Sequence, residues 1–227
     1  MPSQDQAGAE AVVFDLDGTL LDTMTVVPRV YVQTIRELGG PDLTPQELVA
    51  AWHMGPTPVV LAHFTGRAIT SRDLDLFFDR MAAGAALTQP FPGVLDLLRA
   101  LGEDGYALAV YTSATRRLID ATLARTGLGP LVSVVVTGDE VARPKPAPDG
   151  LLDTCRLLGV PATAAAYVGD AETDLQCAAA AGAIPVHARW SPHTVAVAGP
   201  GYAARQPGDV RTLLAGLGPG DGRAAAG

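Results

Sequence analysis

Lysine is nearly absent from this 227-residue chain: of 16 basic side chains, Lys145 alone is a lysine. High Ala, Gly, Pro and Arg content is what a GC-rich genome encodes, so the scarcity is largely compositional, yet the position of the survivor still needs a reason. Positive charge is short overall, with 16 Lys plus Arg against 24 Asp plus Glu, whereas a nucleic-acid partner needs clustered cations along its phosphates. No nucleic-acid partner is expected. Cysteine is limited to Cys155 and Cys177, which match no zinc or redox spacing and sit among small and apolar residues. A disulfide-stapled fold is therefore excluded and a reducing cytoplasm fits. No run of about 18 apolar residues exists, and residues 1–10 are polar without a basic flank, so neither membrane spanning nor secretion is expected.

What is present is an alternation. Apolar, β-branched runs at residues 11–16, 106–111, 131–136, 164–168 and 183–187 read as buried strands, separated by helix-like stretches at 94–103, 114–126, 147–158 and 172–181. Strand alternating with helix predicts a doubly wound, Rossmann-like α/β core with a parallel sheet covered on both faces. One interval breaks the pattern. Residues 23–91 hold no convincing strand and several helical segments, around 26–38, 45–53, 57–64 and 71–87, so a helical cap inserted after the first strand is expected, flanked by core segments 1–22 and 92–215. Gln89-Pro90-Phe91-Pro92-Gly93 marks the return to the core, because two prolines and a glycine oppose helix continuation. Residues 216–227 lack apolar periodicity and read as a flexible tail. At this length folding can bury roughly 70% of the unfolded surface, enough for a core without staples.

In an open parallel sheet, ligands bind outside the carboxyl ends of the strands. Those ends carry Asp15-Leu16-Asp17-Gly18-Thr19, then Thr112-Ser113, then Arg143-Pro144-Lys145-Pro146, then Gly169-Asp170 with Asp174 beyond. Asp15 and Asp17 lie two residues apart and repel unless a proton or cation relieves them. Mg²⁺ is the expected relief, since it takes oxygen ligands and is commonly held by one or two carboxylates plus a substrate phosphate, and Asp170 would add another oxygen. Each feature also has a plainer reading: the acidic pair as a turn cap, Thr112 as a strand-end cap, Lys145 as a solvated loop lysine. Their coincidence at one sheet edge favours chemistry, and a compact ammonium differs from the planar fork that arginine would present.

These residues resemble the haloacid dehalogenase-like hydrolase superfamily. DLDGTLLDT at 15–23, YTSAT at 111–115, RPKPAPD at 143–149 and VGDAETD at 168–174 match its characteristic segments in order. The resemblance implies phosphoglycolate- or sugar-phosphate-phosphatase-like chemistry on a small-molecule phosphate monoester, by a monomer or homodimer. Asp15 would be the nucleophile that forms an aspartyl-phosphate, and Asp17 the general acid and then base. Mg²⁺ would be held by Asp15, the Asp17 carbonyl and Asp170. Thr112 and the Ser113 N–H would hold phosphoryl oxygens, Lys145 would neutralise charge, and Asp174 would orient Lys145. Within the family, Asp17 supplies the acid that dehalogenating members lack. The absence of lysine from residues 23–91 excludes Schiff-base phosphonate cleavage. A phosphosugar mutase stays open as the alternative.

In the cap, Gly55-Pro56-Thr57-Pro58 is expected to turn toward the metal or to serve as a plain connector, with Trp52, His53, His63 and Arg67 as candidate substrate contacts. Arg116 and Arg117 follow the phosphate turn and could meet a second anion or simply face solvent. The segment TMTVVPRV at 23–30 is less polar than many cap entrances, which suggests a less polar or larger leaving group. A response-regulator receiver domain shares an acidic pair, a hydroxyl and a Lys-Pro, but its acceptor aspartate lies mid-chain and it has no place for the cap. A catalytically silent relative is disfavoured by the retention of Asp15, Asp17, Lys145 and Asp170.

Overall fold

The computed structural model describes residues 8–51, 54, 57–85, 87–194, 197 and 201–217. Two compact units divide the chain, one comprising Met1–Asp22 with Pro90–Gly227 and the other Thr23–Gln89.

The first unit is built on strands β1 (Ala11–Phe14), β2 (Ala107–Tyr111), β3 (Val134–Val136), β4 (Ala165–Gly169), β5 (Ile184–Ala188) and β6 (Tyr202–Ala204). All pairings are parallel, in the order β3-β2-β1-β4-β5-β6. Side chains of β1 alternate between the faces, as a period of two requires. Val12 and Phe14 join one apolar cluster with Leu97, Leu98, Ile119 and Val210, while Ala11 and Val13 join another with Leu151, Cys155 and Cys177. Helices α5 (Val94–Glu103), α6 (Arg116–Thr126) and α9 (Pro207–Gly216) thus cover one face, and α7 (Asp149–Leu158) and α8 (Glu172–Ala181) the other. Burying a side chain the size of Phe14 contributes about 1.5–3 kcal/mol; Phe14 is fully buried, and β1 lies inside the sheet, paired with β2 on one edge and β4 on the other.

Three strands, β1, β2 and β3, are shorter than the apolar runs suggest. β1 stops at Phe14 rather than at residue 16, and the run at 131–136 begins as a 3₁₀ turn, Gly129–Leu131, before β3. In both places the apolar run extends into a turn, which composition does not distinguish from strand. β6 and α9 had no counterpart in the sequence reading, since a three-residue strand carries no periodic signal and forms by pairing with β5. Helix α9 runs to Gly216, where the tail was expected to begin. Residues 218–227 lie outside the described residues.

The second unit contains α1 (Val27–Glu37), α2 (Pro45–Ala51), α3 (Thr57–Thr65) and α4 (Ser71–Ala85) around a core of Val30, Tyr31, Ile35, Leu48, Leu61 and Phe77. Two helices start at reciprocal caps. Glu47 Oε2 accepts the Thr44 N–H at 2.8 Å while Thr44 Oγ1 accepts the Glu47 N–H at 3.2 Å, and Thr70 and Asp73 repeat the arrangement before α4. Trp52, His53, Gly55 and Pro56 lie outside the described residues. No described helix is long and apolar enough to cross a membrane.

Candidate active site

The strand order reverses direction between β1 and β4, the crevice where doubly wound sheets bind ligands. Phe14 pairs with Val168 and Val110 in register, and the Asp15 N–H donates to the Val168 carbonyl at 2.8 Å. Asp15 therefore stands beside Gly169-Asp170 on one side and Tyr111-Thr112 on the other.

Lys145 is brought to this edge from the loop after β3. Its Nζ donates to Asp15 Oδ1 at 2.6 Å and to Asp174 Oδ1 at 2.7 Å, and its side chain is only 4% exposed. Burial works against the ammonium, but the charges of Asp15 and Asp174 outweigh it and push the Lys145 pKa well up. Asp174 is fully engaged: Oδ1 also faces the Tyr167 hydroxyl at 3.3 Å, and Oδ2 accepts the Ala171 N–H at 3.0 Å. Gly169 is required here, because a methyl group at that position would overlap the Asp174 carboxylate.

Asp170 lies close to Asp15. Its Oδ1 accepts the Thr19 hydroxyl at 3.1 Å, and its carboxylate lies against Gly18, where a methyl group would stand 2.5 Å from Oδ2. Gly18 has φ +83°, a left-handed conformation that glycine adopts without strain. Burial, and then the charge of Asp174, pushes the Asp170 carboxyl up to about 6. Asp15 is likewise raised well above its ordinary value by burial, with Lys145 pulling the other way and Asp174, Asp170 and Asp17 adding to the rise.

The carboxylates of Asp15, Asp170 and Asp174 offer oxygens within 4.8 Å of one another. Set against the single ammonium of Lys145, ionised carboxylates at all three positions leave two negative charges in excess. A hard divalent cation answers that excess, and the donor set is all oxygen, so the residues fit Mg²⁺. Both oxygens of Asp174 are already engaged, whereas Lys145 bonds Asp15 through Oδ1, which leaves Asp15 and Asp170 to offer oxygens to the ion.

Asp17 is exposed, and Gly18 N–H donates to the Leu21 carbonyl at 2.9 Å to close the loop between them. Thr112 is buried. Its Oγ1 accepts the Ala114 N–H at 3.1 Å, as a strand-end cap does, and the same oxygen keeps its own proton to donate. Ser113 is exposed, with its carbonyl packed against Gly138.

Two of the candidate arginines are already paired. Arg67 makes paired bonds to Asp73 at 2.7 and 3.0 Å, and Arg116 binds Glu140, Asp120 and the Val135 carbonyl. These contacts commit both guanidinium groups to holding loops and helix ends. His63 is exposed beside Phe64. Arg117 is exposed on α6.

Three residues of the site escaped the sequence reading. Trp190 Nε1 donates to the Thr19 carbonyl at 2.8 Å, His187 Nε2 lies 3.3 Å from the Asp170 carbonyl, and Tyr167 packs under Lys145. A polar-tipped tyrosine inside the apolar run at 164–168 was the one available signal.

The fold and site define a doubly wound α/β enzyme with its acidic centre at the switch point. Residues 12–187 match the haloacid dehalogenase-like hydrolase family, and the chain belongs to that family. It is 31% identical over 180 residues to the phosphoglycolate phosphatase of Pseudomonas syringae pv. tomato, a match spanning 75% of this chain and 66% of that protein's length. It is 37% identical over 183 residues to the plasmid phosphoglycolate phosphatase of Cupriavidus necator, spanning 78% of each. The crystal structure of CbbY from Rhodobacter sphaeroides in complex with phosphate shares the fold, with a TM-score of 0.78 at 24% identity over 89% of this chain and 96% of that one.

Proposed function

We propose that this chain is a Mg²⁺-dependent phosphatase that hydrolyses a small-molecule phosphate monoester through an aspartyl-phosphate. The observation that carries the reading is the Asp15 carboxylate at the switch point, bonded to Lys145 and within 4.8 Å of an Asp170 oxygen. Segments 1–22 and 92–215 are assigned as catalytic core and 23–91 as the cap that selects the leaving group.

In the first step an Asp15 oxygen bonds to phosphorus as the ester P–O bond breaks, and Asp17 gives its proton to the departing oxygen. In the second, Asp17 takes a proton from water, the resulting hydroxide bonds to phosphorus, and the Asp15–phosphorus bond breaks to return the carboxylate and release inorganic phosphate. Thr112 and the Ser113 N–H hold phosphoryl oxygens, and Lys145 neutralises charge that grows on them, kept protonated by Asp15 and Asp174. Asp15, the Asp17 carbonyl and Asp170 would hold Mg²⁺, which supplies charge stabilisation to the transferring group when bound. A cytoplasmic setting is supported by the free thiols of Cys155 and Cys177, and a monomer or homodimer is the proposed state.

The experiment is phosphate release from a panel of small esters led by 2-phosphoglycolate, chosen because the relatives are phosphoglycolate phosphatases. Turnover should require Mg²⁺ and fall by about a thousandfold or more in Asp15→Asn. Metal-independent turnover, or full activity of the variant, would overturn the mechanism.

A further inference from the structure

Two tyrosines enclose the ammonium at the centre of this site. Lys145 Nζ lies 5.0 Å from the ring centroid of Tyr111 and 5.4 Å from that of Tyr167, and the two rings stack with centroids 6.0 Å apart and planes inclined by 29°. A cation at such distances from aromatic faces is attracted by the ring quadrupoles, more strongly where water is excluded. Both rings are buried, and the Tyr111 ring occupies space that only glycine at position 150 leaves open.

The Tyr167 hydroxyl makes this more than core packing. It donates to the Tyr111 carbonyl at 3.0 Å and lies 3.3 Å from Asp174 Oδ1. The first partner ends β2, one residue before Thr112. The second is the oxygen that also receives Lys145 at 2.7 Å. One buried hydroxyl thereby joins the strand end that leads into the phosphate turn, the carboxylate that aims the lysine, and, through its ring, the lysine itself. By contrast, the buried Tyr111 hydroxyl has no hydrogen-bond partner among the described residues, so Tyr111 serves the site through its ring face.

We infer that Tyr167 is a positioning residue for Lys145, holding the ammonium against Asp15 through Asp174 and its own ring, with the Tyr111 ring as the second wall. The inference rests on the phosphatase reading for its kinetic consequence, but not for its structural one. An ammonium that stabilises charge growing on the phosphoryl group must already be in place when that charge develops. Loosening it therefore lowers the rate of the chemical step more than it weakens binding of the ground state.

The chain's single lysine makes the test direct, because protein grown with ¹³C-labelled lysine gives one side-chain ε-methylene signal and it belongs to Lys145. In the wild-type protein this signal should stand upfield of its position in the urea-unfolded chain, displaced by the two ring currents. It should move back toward that position in Tyr167→Leu and shift in Tyr167→Phe. With 2-phosphoglycolate or p-nitrophenyl phosphate, Tyr167→Phe should lose about tenfold in kcat with KM changed less than about twofold. A wild-type signal at the unfolded position overturns the inference even if neither variant folds. An unchanged kcat in Tyr167→Phe, or a loss confined to KM, overturns it as well. If wild-type protein releases phosphate from no ester, the functional reading fails while the lysine signal still decides the positioning.

Discussion

The indole N–H of Trp190 donates to the backbone carbonyl of Thr19 at 2.8 Å, joining residues 171 positions apart. The contact pins the loop after β1 to the segment just past the end of β5, and the same Thr19 gives its hydroxyl to Asp170. Removing the donor in Trp190→Phe leaves a buried acceptor unsatisfied. The variant should lose about 1–3 kcal/mol of stability in urea unfolding, and a loss indistinguishable from zero would show that the loop is held without it.

Gly18 couples backbone conformation to the proposed Mg²⁺ site. In Gly18→Ala the new methyl group meets Asp170 Oδ2 in a left-handed backbone, so the Mg²⁺ concentration giving half-maximal turnover should rise by about tenfold or more. Gly105→Ala separates the two effects, because Gly105 also has positive φ, +92°, but nothing within 4 Å. That variant should lose stability without a change in Mg²⁺ dependence.

Acid should act on the helical unit through Asp73. Arg67, then the Thr70 N–H and hydroxyl, hold its carboxyl well below the ordinary value of 3.8. A lowered folded-state pKa contributes stability that is present above the unfolded value and is lost as pH falls through the folded one. The difference in urea midpoint between wild type and Asp73→Asn should therefore be full near pH 7 and shrink as pH is taken below about 4. A difference that grows in acid would contradict the assignment.

The thiols should be inert in the folded protein. Cys155 and Cys177 are buried and unpaired, and burial pushes Cys177 up to about 12 and raises Cys155. A thiol kept protonated and out of reach does not attack disulfide reagents. Titration with a chromogenic disulfide should find no reactive thiol in native protein and both in urea. Rapid native reaction at either position would place it nearer solvent than its burial implies.

Much of the architecture was legible because it is locally encoded. An apolar β-branched run that ends in Asp-Leu-Asp-Gly-Thr or Gly-Asp states both a buried strand and a polar strand end, and five of the six described strands fall on apolar runs. The carboxylates, the hydroxyl and the lone lysine were legible for the same reason: each follows a strand in a parallel sheet, and strand ends are where such sheets bind ligands. Strand limits were less legible, since apolar turn residues such as Leu16 and Leu131 have the same composition as strand residues.

What the amino-acid sequence determined by itself was the inventory: an alternating core, a helical interruption, and the residue types gathered at one edge. Only the tertiary structure decided their partners. The order β3-β2-β1-β4-β5-β6 sets Asp15 beside Asp170, an adjacency created by pairing strands more than 150 residues apart and signalled by no local period. The same pairing put Asp174 and the two tyrosines around Lys145 and carried Trp190 back to Thr19. A lysine's sequence neighbours do not reveal its charge partners, because ion pairs and ring contacts act across ångströms of space while the chain supplies their members from distant segments.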